Sequence, residues 1–296
     1  MPITLIPIGR PPRGQPPAVA IIIDDRAVSV PGGTTILSAC ATIGLSIPTL
    51  CFLETLKPVN VCRLCVVEVE GARVLVPSCS RAVEPGMIVH TRSPRVMRAR
   101  RLVLELLASS VDLSTTPGMA ELLEEYGCRP ERFGRDAATV AQPVTIDNDL
   151  YVRDYGKCVL CYKCVEACGS DHQNTFAIAV AGRGFGAHIS TEFAVTLPDS
   201  ACVYCGNCIA VCPTGALMSS REHELRRTGE WNPSRQTTTD TICPYCGVGC
   251  TLTLHVQEGQ IVKATSPLDN PITAGNLCIK GRFGWRFVEH PASKGE

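Results

Sequence analysis

Large aromatic side chains are scarce in this sequence: Phe, Trp and Tyr together make up 5% of its 296 residues, although hydrophobic residues reach 45%. One large core needs such side chains, so several small modules organised around something else are expected, and the length by itself suggests two or three domains. Charge of one sign is also missing. Lys+Arg and Asp+Glu both number 28, giving zero net charge, so the basic footprint of a nucleic-acid or other polyanion binder is absent. Long apolar runs are lacking too. The longest near the start, Ala18 to Ile23, falls far short of the roughly eighteen residues of a membrane span. The opening MPITLIPIGRPPRGQPP has no basic segment followed by an apolar one, and Arg100-Arg101 lies too far in for a twin-arginine signal. Export is therefore not expected and a cytoplasmic location is.

What the sequence has in excess is cysteine, eighteen in all. A reducing compartment does not store so many thiols as disulfides, and the chain is too long for a stapled secreted miniprotein. Metal ligation is the leading explanation.

The pattern along the chain is modular. Residues 1–17 hold six prolines and little periodicity, which reads as an extended arm. From Ala18, AVAIII, a turn at Asp24-Asp25, and AVSV read as strands, and Thr34 or Thr35 can cap a helix reaching about Gly44. VCRLCVVEVE, Gly71 and ARVLVP alternate like a hairpin, and MIVHT supplies another strand. Residues 18–92 thus form a mostly sheet module with one helix. Residues 93–147 form a helical connector. Ser93-Pro94 starts a helix over 94–109 with apolar Val96, Met97, Leu102, Val103, Leu106 and Leu107, and its basic cluster Arg95, Arg98, Arg100 and Arg101 reads as a solvated face. A second helix covers 117–126, and 127–147 reads as loop. Residues 148–222 hold two cysteine runs, 223–238 read as a polar linker, and 239–296 hold the last four cysteines.

Sixteen cysteines fall into four groups. Cys51, Cys62, Cys65 and Cys79 place three thiols on one loop and a fourth on a distant strand, which suits a [2Fe-2S] cluster. Their strand, Cys62-Arg63-Leu64-Cys65-Val66-Val67-Glu68-Val69, resembles the N-terminal [2Fe-2S] domain of the large peripheral iron-sulfur subunit of respiratory complex I. It equally resembles that subunit's relatives in NAD-linked hydrogenases and formate dehydrogenases, with Asn60-Val61 where a glycine is common. Cys158, Cys161, Cys164, Cys168 and Cys202, Cys205, Cys208, Cys212-Pro213 repeat the two, two, three spacing of the two-cluster bacterial ferredoxin run. There the fourth cysteine of each run ligates the other cluster. That resemblance implies one cubane on Cys158, Cys161, Cys164 and Cys212, and another on Cys202, Cys205, Cys208 and Cys168. Gly169 stands where the motif has proline, and residues 169–201 are an insertion between the runs.

The last group, Cys243, Cys246, Cys250 and Cys278 within CPYCGVGC and CIKGRFGW, resembles the N-terminal [4Fe-4S] domain of molybdenum or tungsten bis-pterin enzymes. In that family a lysine two residues past the last ligand lies between cubane and pterin, and Lys280 occupies that place as a cofactor-binding residue. The sequence ends eighteen residues after Cys278, so no pterin site is expected within it. Cys40 and Cys128 are left over and read as plain buried thiols. Relatives add a cubane ligated by one histidine and three cysteines. Between Cys79 and Cys158 only His90 and Cys128 remain, so that cluster is not expected. His172 could tune a cluster sulfur but reads more simply as a loop histidine, and Gly182, Gly184 and Gly186 read as a glycine-rich turn.

These resemblances imply an α+β chain of ferredoxin-type modules in tandem: a β-grasp [2Fe-2S] domain, a two-cluster ferredoxin-like domain, and a small [4Fe-4S] domain of the molybdopterin-oxidoreductase type. They imply one [2Fe-2S] and three [4Fe-4S] clusters. No nucleophile pairs with a base, so no catalytic site of its own is expected. The function implied is an electron-transfer subunit of a cytoplasmic NAD(P)-linked hydrogenase, a class that includes electron-bifurcating members. Its partners would be a flavin and NAD(P)-binding subunit and a catalytic subunit, with ferredoxin as a further electron partner. An iron-sulfur subunit or N-terminal fragment of an NAD-dependent formate dehydrogenase is the alternative. A zinc-stapled scaffold is the alternative of another class, and colour separates it: zinc-thiolate protein is colourless, iron-sulfur protein brown.

Overall fold

The two apolar runs that open the first module fold back on each other because Asp24 and Asp25 both take left-handed backbone, φ 43° and 65°, the geometry of a two-residue type I′ turn. β1 (Ala18–Ile23) and β2 (Arg26–Pro31) pair antiparallel from that turn. Their alternation buries Ile21, Ile23, Val28 and Val30 on one face. The structure is a computed structural model describing residues 16–134 and 142–288. All but the last two residues of the expected N-terminal arm lie outside the described residues.

Thr35 caps α1 (Ile36–Thr42) by accepting the Ser38 N–H at 3.1 Å. β3 (Val66–Val69), β4 (Val76–Pro77) and β5 (Ile88–His90) complete a five-stranded sheet in the order β2-β1-β5-β3-β4, with β1 and β5 parallel. The mixed sheet with one helix between β2 and β3 is the β-grasp arrangement expected. Asp24 ties its two central strands by accepting the Thr91 N–H at 2.8 Å.

The described residues divide into two compact units, 16–48 with 63–100, and 49–62 with 101–134 and 142–288. The boundary falls inside α2 (Pro94–Ser110), the helix expected over 94–109. One expectation for this helix is corrected. Arg100, read as part of a solvated basic face, is 1% exposed and donates to the Val66 carbonyl at 2.8 Å. The buried stripe runs Val96, Arg100, Leu104, one residue per turn, while Leu102 and Leu106 face solvent. A guanidinium that finds a carbonyl can be buried where its charge alone forbids it, and a hydropathy pattern does not register that.

In the second unit α3 (Met119–Glu125) follows within the span expected for a second helix. β6 (Tyr151–Arg153), α4 (Lys163–Cys168), the hairpin β7 (Ala179–Ala181) and β8 (His188–Ser190), α5 (Asn207–Val211) and β9 (Leu217–Ser219) come next. β6 pairs antiparallel with β9, and α4 packs on α5. Gly182 turns the β7–β8 hairpin as a glycine-rich turn: its φ is 70°, and a Cβ there would sit 2.3 Å from the Gly186 carbonyl oxygen.

The stretch read as a linker, residues 223–238, is partly regular. α6 (Ser220–Arg227) fills its first part and β10 (Gln236–Ile242) begins before its end. β10 pairs with β11 (Thr251–Gln257), and β11 pairs with β12 (Gln260–Thr265), followed by α7 (Ile279–Phe283). Thr-rich polar residues on β10 conceal a strand because it lies at the edge, exposed along nearly its whole length.

His255 in β11 stands opposite Lys263 in β12, with Nε2 2.9 Å from the Thr265 hydroxyl. Burial first, then the Lys263 ammonium, lowers its pKa to about 4. The unfolded chain binds a proton near pH 6.5 that the folded chain refuses, so stability falls as pH drops from about 6.5 toward 4. Replacing His255 with Gln should flatten that slope. Denaturant unfolding at pH 7 and pH 5 checks it: the wild type should lose stability between the two, and the variant should lose less.

Candidate metal centres

Cysteine loops that wrap a compact anion need successive backbone N–H groups turned inward, and short stretches of left-handed backbone achieve this. The two ferredoxin-type loops do so at matching positions. Leu160 and Tyr162 in the first have φ 50° and 64°, and Tyr204 and Gly206 in the second have φ 55° and 69°. As a result the Leu160 N–H points to Cys158 Sγ and the Tyr204 N–H to Cys202 Sγ, each at 3.4 Å. Each loop runs into a short helix, so Cys168 ends α4 and Cys212 closes α5.

The last cysteine of each run lies near the other run. Cys158, Cys161 and Cys164 line one cavity together with Cys212, walled by Tyr155, Ile189 and Leu217. Cys205 lies near the thiols of Cys168 and Cys202, and Cys208 near those of Cys205, Cys202 and Cys168, with Cys212 the weakest of its four neighbours. Cys168 Sγ also receives the Ala177 N–H at 3.2 Å and lies 3.4 Å from the Thr175 hydroxyl. Burial pushes the Cys158 and Cys161 thiols up to about 11 and those of Cys164 and Cys208 well above the ordinary range. A thiolate there needs a bound metal to offset its desolvation.

Tyrosines close the two loops from behind. Tyr151, 1% exposed, places its hydroxyl 2.9 Å from Cys202 Sγ. Burial and the thiols of Cys208 and Cys202 push its own pKa far up, so it stays a hydrogen-bond donor. The Tyr155 hydroxyl is buried beside Cys164, with Arg153 near it but no acceptor for its own O–H. Arg282 Nε is likewise buried without an acceptor, beside Cys205 and Cys208. Orphaned buried donors against thiol-lined space are what a sulfide-bearing cluster would satisfy, so the residues present fit the group.

In the last module the Cys243 N–H donates to the Cys250 carbonyl at 2.8 Å, closing the CPYCGVGC loop between β10 and β11. Cys278 is the N-cap of α7. Burial, followed by the thiols of Cys243, Cys246 and Cys278, pushes Cys250 up, which groups these four. Lys280 is exposed in α7.

Of the first group, Cys51 and Cys62 belong to the second unit, with Sγ atoms 3.3 Å apart, and Cys65 and Cys79 to the first, both buried. Asn60 and Arg63, flanking Cys62, again have positive φ, 61° and 55°. The segment 49–62 is anchored within its unit: Leu56 packs with Ala167 and Val211, and Lys57 pairs with Asp171 at 3.1 Å. His172 lies 3.0 Å from the Thr55 carbonyl rather than on a thiol. Cys40 is fully buried, and burial, then Asp24, pushes it up to about 11. Cys128, expected to be buried, is half-buried with its thiol 3.9 Å from the Arg101 carbonyl. Among the described residues no three His, Cys, Asp or Glu side chains converge as a single-ion site.

The sequence reading missed Tyr151, Asn207 and Arg282. Arg282 lies four residues past Cys278 and Asn207 directly before Cys208, so proximity to the cysteines was the available signal.

Three domain families match this chain: the 2Fe-2S iron-sulfur cluster binding domain over residues 17–94, the 4Fe-4S dicluster domain over 157–216, and the molybdopterin oxidoreductase Fe4S4 domain over 236–290. The NADPH-Fe(3+) oxidoreductase subunit alpha of Geobacter sulfurreducens is 34% identical over 92% of this chain and 32% of its own length. The NADP-reducing hydrogenase subunit HndD of Solidesulfovibrio fructosivorans is 40% identical over 70% of this chain and 36% of its own length. The chain spans about a third of these curated relatives. A crystal structure of NAD+-reducing [NiFe]-hydrogenase in the H2-reduced state is similar with a TM-score of 0.60 and 26% identity, over 68% of this chain and 87% of that one.

The second loop explains a glycine. Tyr162 holds the left-handed position that Gly206 holds in the other loop, so φ alone does not demand glycine at 206. A Cβ there would meet Arg282 Cγ and Phe283 Cζ at 3.0 Å. Gly206→Ala should therefore lower the thermal midpoint, by about 1–2 kcal/mol of left-handed strain plus the clash with α7. Thermal unfolding at matched iron content measures it, and equal midpoints would mean that α7 gives way freely.

Proposed function

We propose that this chain, which carries 2Fe-2S, 4Fe-4S dicluster and molybdopterin-oxidoreductase Fe4S4 domains in series, is the iron-sulfur wire of a cytoplasmic NAD(P)-linked oxidoreductase complex, a hydrogenase in the first instance. The observation that carries this reading is that the last cysteine of each run lies beside the other run, Cys212 beside Cys158, Cys161 and Cys164, and Cys168 beside Cys205 and Cys208.

On this reading Cys51, Cys62, Cys65 and Cys79 hold a [2Fe-2S] cluster. Cys158, Cys161, Cys164 and Cys212 hold one cubane, Cys202, Cys205, Cys208 and Cys168 a second, and Cys243, Cys246, Cys250 and Cys278 a third. These groups supply one-electron oxidation and reduction when bound. The chain's own residues do the rest. Left-handed loops aim N–H groups at cysteine sulfur, Tyr151 adds a hydroxyl, and the core of Tyr155, Ile189, Leu217 and Phe283 keeps water out. Fully cysteine-ligated sites leave no open position for substrate, so the reactions of NAD(P)H and of the terminal substrate fall to partner subunits, one binding flavin and NAD(P) and one catalytic. Ferredoxin is a further electron partner. Lys280, exposed two residues past Cys278, is the residue we place toward the next redox group.

Likeness to an NADP-reducing hydrogenase subunit and to an NAD+-reducing hydrogenase supports hydrogenase over formate dehydrogenase. Among the described residues no helix is long and apolar enough to cross a membrane.

Anaerobic iron and sulfide analysis should return about fourteen irons per chain, the sum for one [2Fe-2S] and three [4Fe-4S] clusters. Stoichiometric zinc in their place would overturn the reading. The crossed ligation has its own test by EPR: Cys168→Ser should perturb the cubane of Cys202, Cys205 and Cys208, and Cys212→Ser the other. Damage confined to each cysteine's own run would refute it.

A further inference from the structure

Arg282 is a buried cation whose counter-charge is not a carboxylate. It is 5% exposed, among the described residues no carboxylate pairs with it, and its Cγ lies against Gly206 while its guanidinium bonds Asn207, which sets it between Cys205 and Cys208. An arginine guanidinium keeps its proton in proteins. A guanidinium in such a place is costly unless an anion compensates it.

Its hydrogen bonds are incomplete in a telling way. One terminal nitrogen donates to the Ala264 carbonyl at 3.2 Å and the other to Asn207 Oδ1 at 3.1 Å, while Nε has no protein acceptor. Asn207 Oδ1 also receives the Leu277 N–H at 3.0 Å. One buried carboxamide oxygen therefore joins the residue before Cys208 to the residue before Cys278. The next residue of α7 reinforces the join: Phe283 stacks on Tyr151, centroids 6.3 Å apart at 15°, and Tyr151 is the residue whose hydroxyl meets Cys202.

We propose that Arg282 is the buried counter-cation of the cubane held by Cys202, Cys205, Cys208 and Cys168, and that through Asn207 it is the positioning residue that fixes the Cys278 loop against that cubane for electron transfer between the two. The inference rests on the ligand sets proposed above. A fixed positive charge in low dielectric favours the more negative, reduced form of its neighbour and raises that site's potential. The Asn207 bridge holds the separation of the two cysteine loops constant while one electron passes and no proton moves.

The experiment is an EPR-monitored redox titration of the full chain, loaded anaerobically, as wild type, Arg282→Gln, Arg282→Lys and Asn207→Ala. The glutamine variant should shift one cubane to lower potential, the same one that Cys168→Ser perturbs, and leave the [2Fe-2S] potential unmoved. Lysine should restore most of the shift. Asn207→Ala should weaken the spin coupling between that cubane and the C-terminal one. An unmoved cubane potential in fully loaded Arg282→Gln overturns the counter-cation role, and undiminished spin coupling in Asn207→Ala overturns the positioning role. Arg282→Met, of similar length and uncharged, replaces the glutamine variant if that one fails to fold. A wild-type chain with no cubane signals would instead refute the ligand sets themselves, so the two failures are distinguishable.

Discussion

A buried thiolate is the constraint on which the rest depends. Desolvation drives the cysteines of both ferredoxin-type loops toward their neutral form, and only a metal, inward N–H groups and nearby cations reverse that preference. The left-handed residues Leu160, Tyr162, Tyr204 and Gly206, the hydroxyl of Tyr151 and the guanidinium of Arg282 are answers to that one electrostatic problem. Helices of five or six residues suffice here because the thiol loops, and not helix propensity, hold the chain in place.

The same constraint accounts for the scarcity of large side chains. In the proposed function the centre of each such module is filled by an inorganic group, and the second unit's main cluster is built round its cysteines, with Tyr151, Tyr155, Ile189, Leu197, Leu217 and Phe283 packed on Cys158, Cys164, Cys168, Cys202, Cys208 and Cys212. Its other clusters are small, such as Leu56 with Ala167 and Val211 or Ile261 with Ala264 and Trp285. The first unit differs in kind. Its sheet buries Ile21, Ile23, Val28, Val30 and Val89 in the usual alternating way, each contributing roughly 1.5–3 kcal/mol. Burial of the Arg100 guanidinium against Val66 shows how far a polar group can replace an apolar one there once it has an acceptor.

α7 serves two modules at once. It begins at Cys278 and ends in Arg282 and Phe283, which pack on Gly206, Asn207 and Tyr151 of the second ferredoxin-type loop. The domain families match these segments separately, over 157–216 and 236–290. Their shared packing makes the two modules one electron-conducting unit in the proposed function.

Cysteine spacing by itself pointed to iron-sulfur domains, which the family matches bear out, because a cubane accepts three thiolates from one tight loop at only a narrow set of intervals, and no fold is needed to read them. Alternating hydropathy likewise determined β1, β2, β3 and β5 and the span of α2, since each is a local pattern with a local cap or turn. Tertiary structure alone decided the rest. Arg100 and Leu102 exchanged the places their hydropathy suggested because burial turns on whether a carbonyl is in reach. The start of β10, residues 236–238, was read as linker because an exposed edge strand carries no apolar alternation. Arg282 and Asn207 gained their roles from a contact between residues 75 positions apart, and the cost of burying a charge depends on what surrounds it in space, which no spacing along the chain encodes.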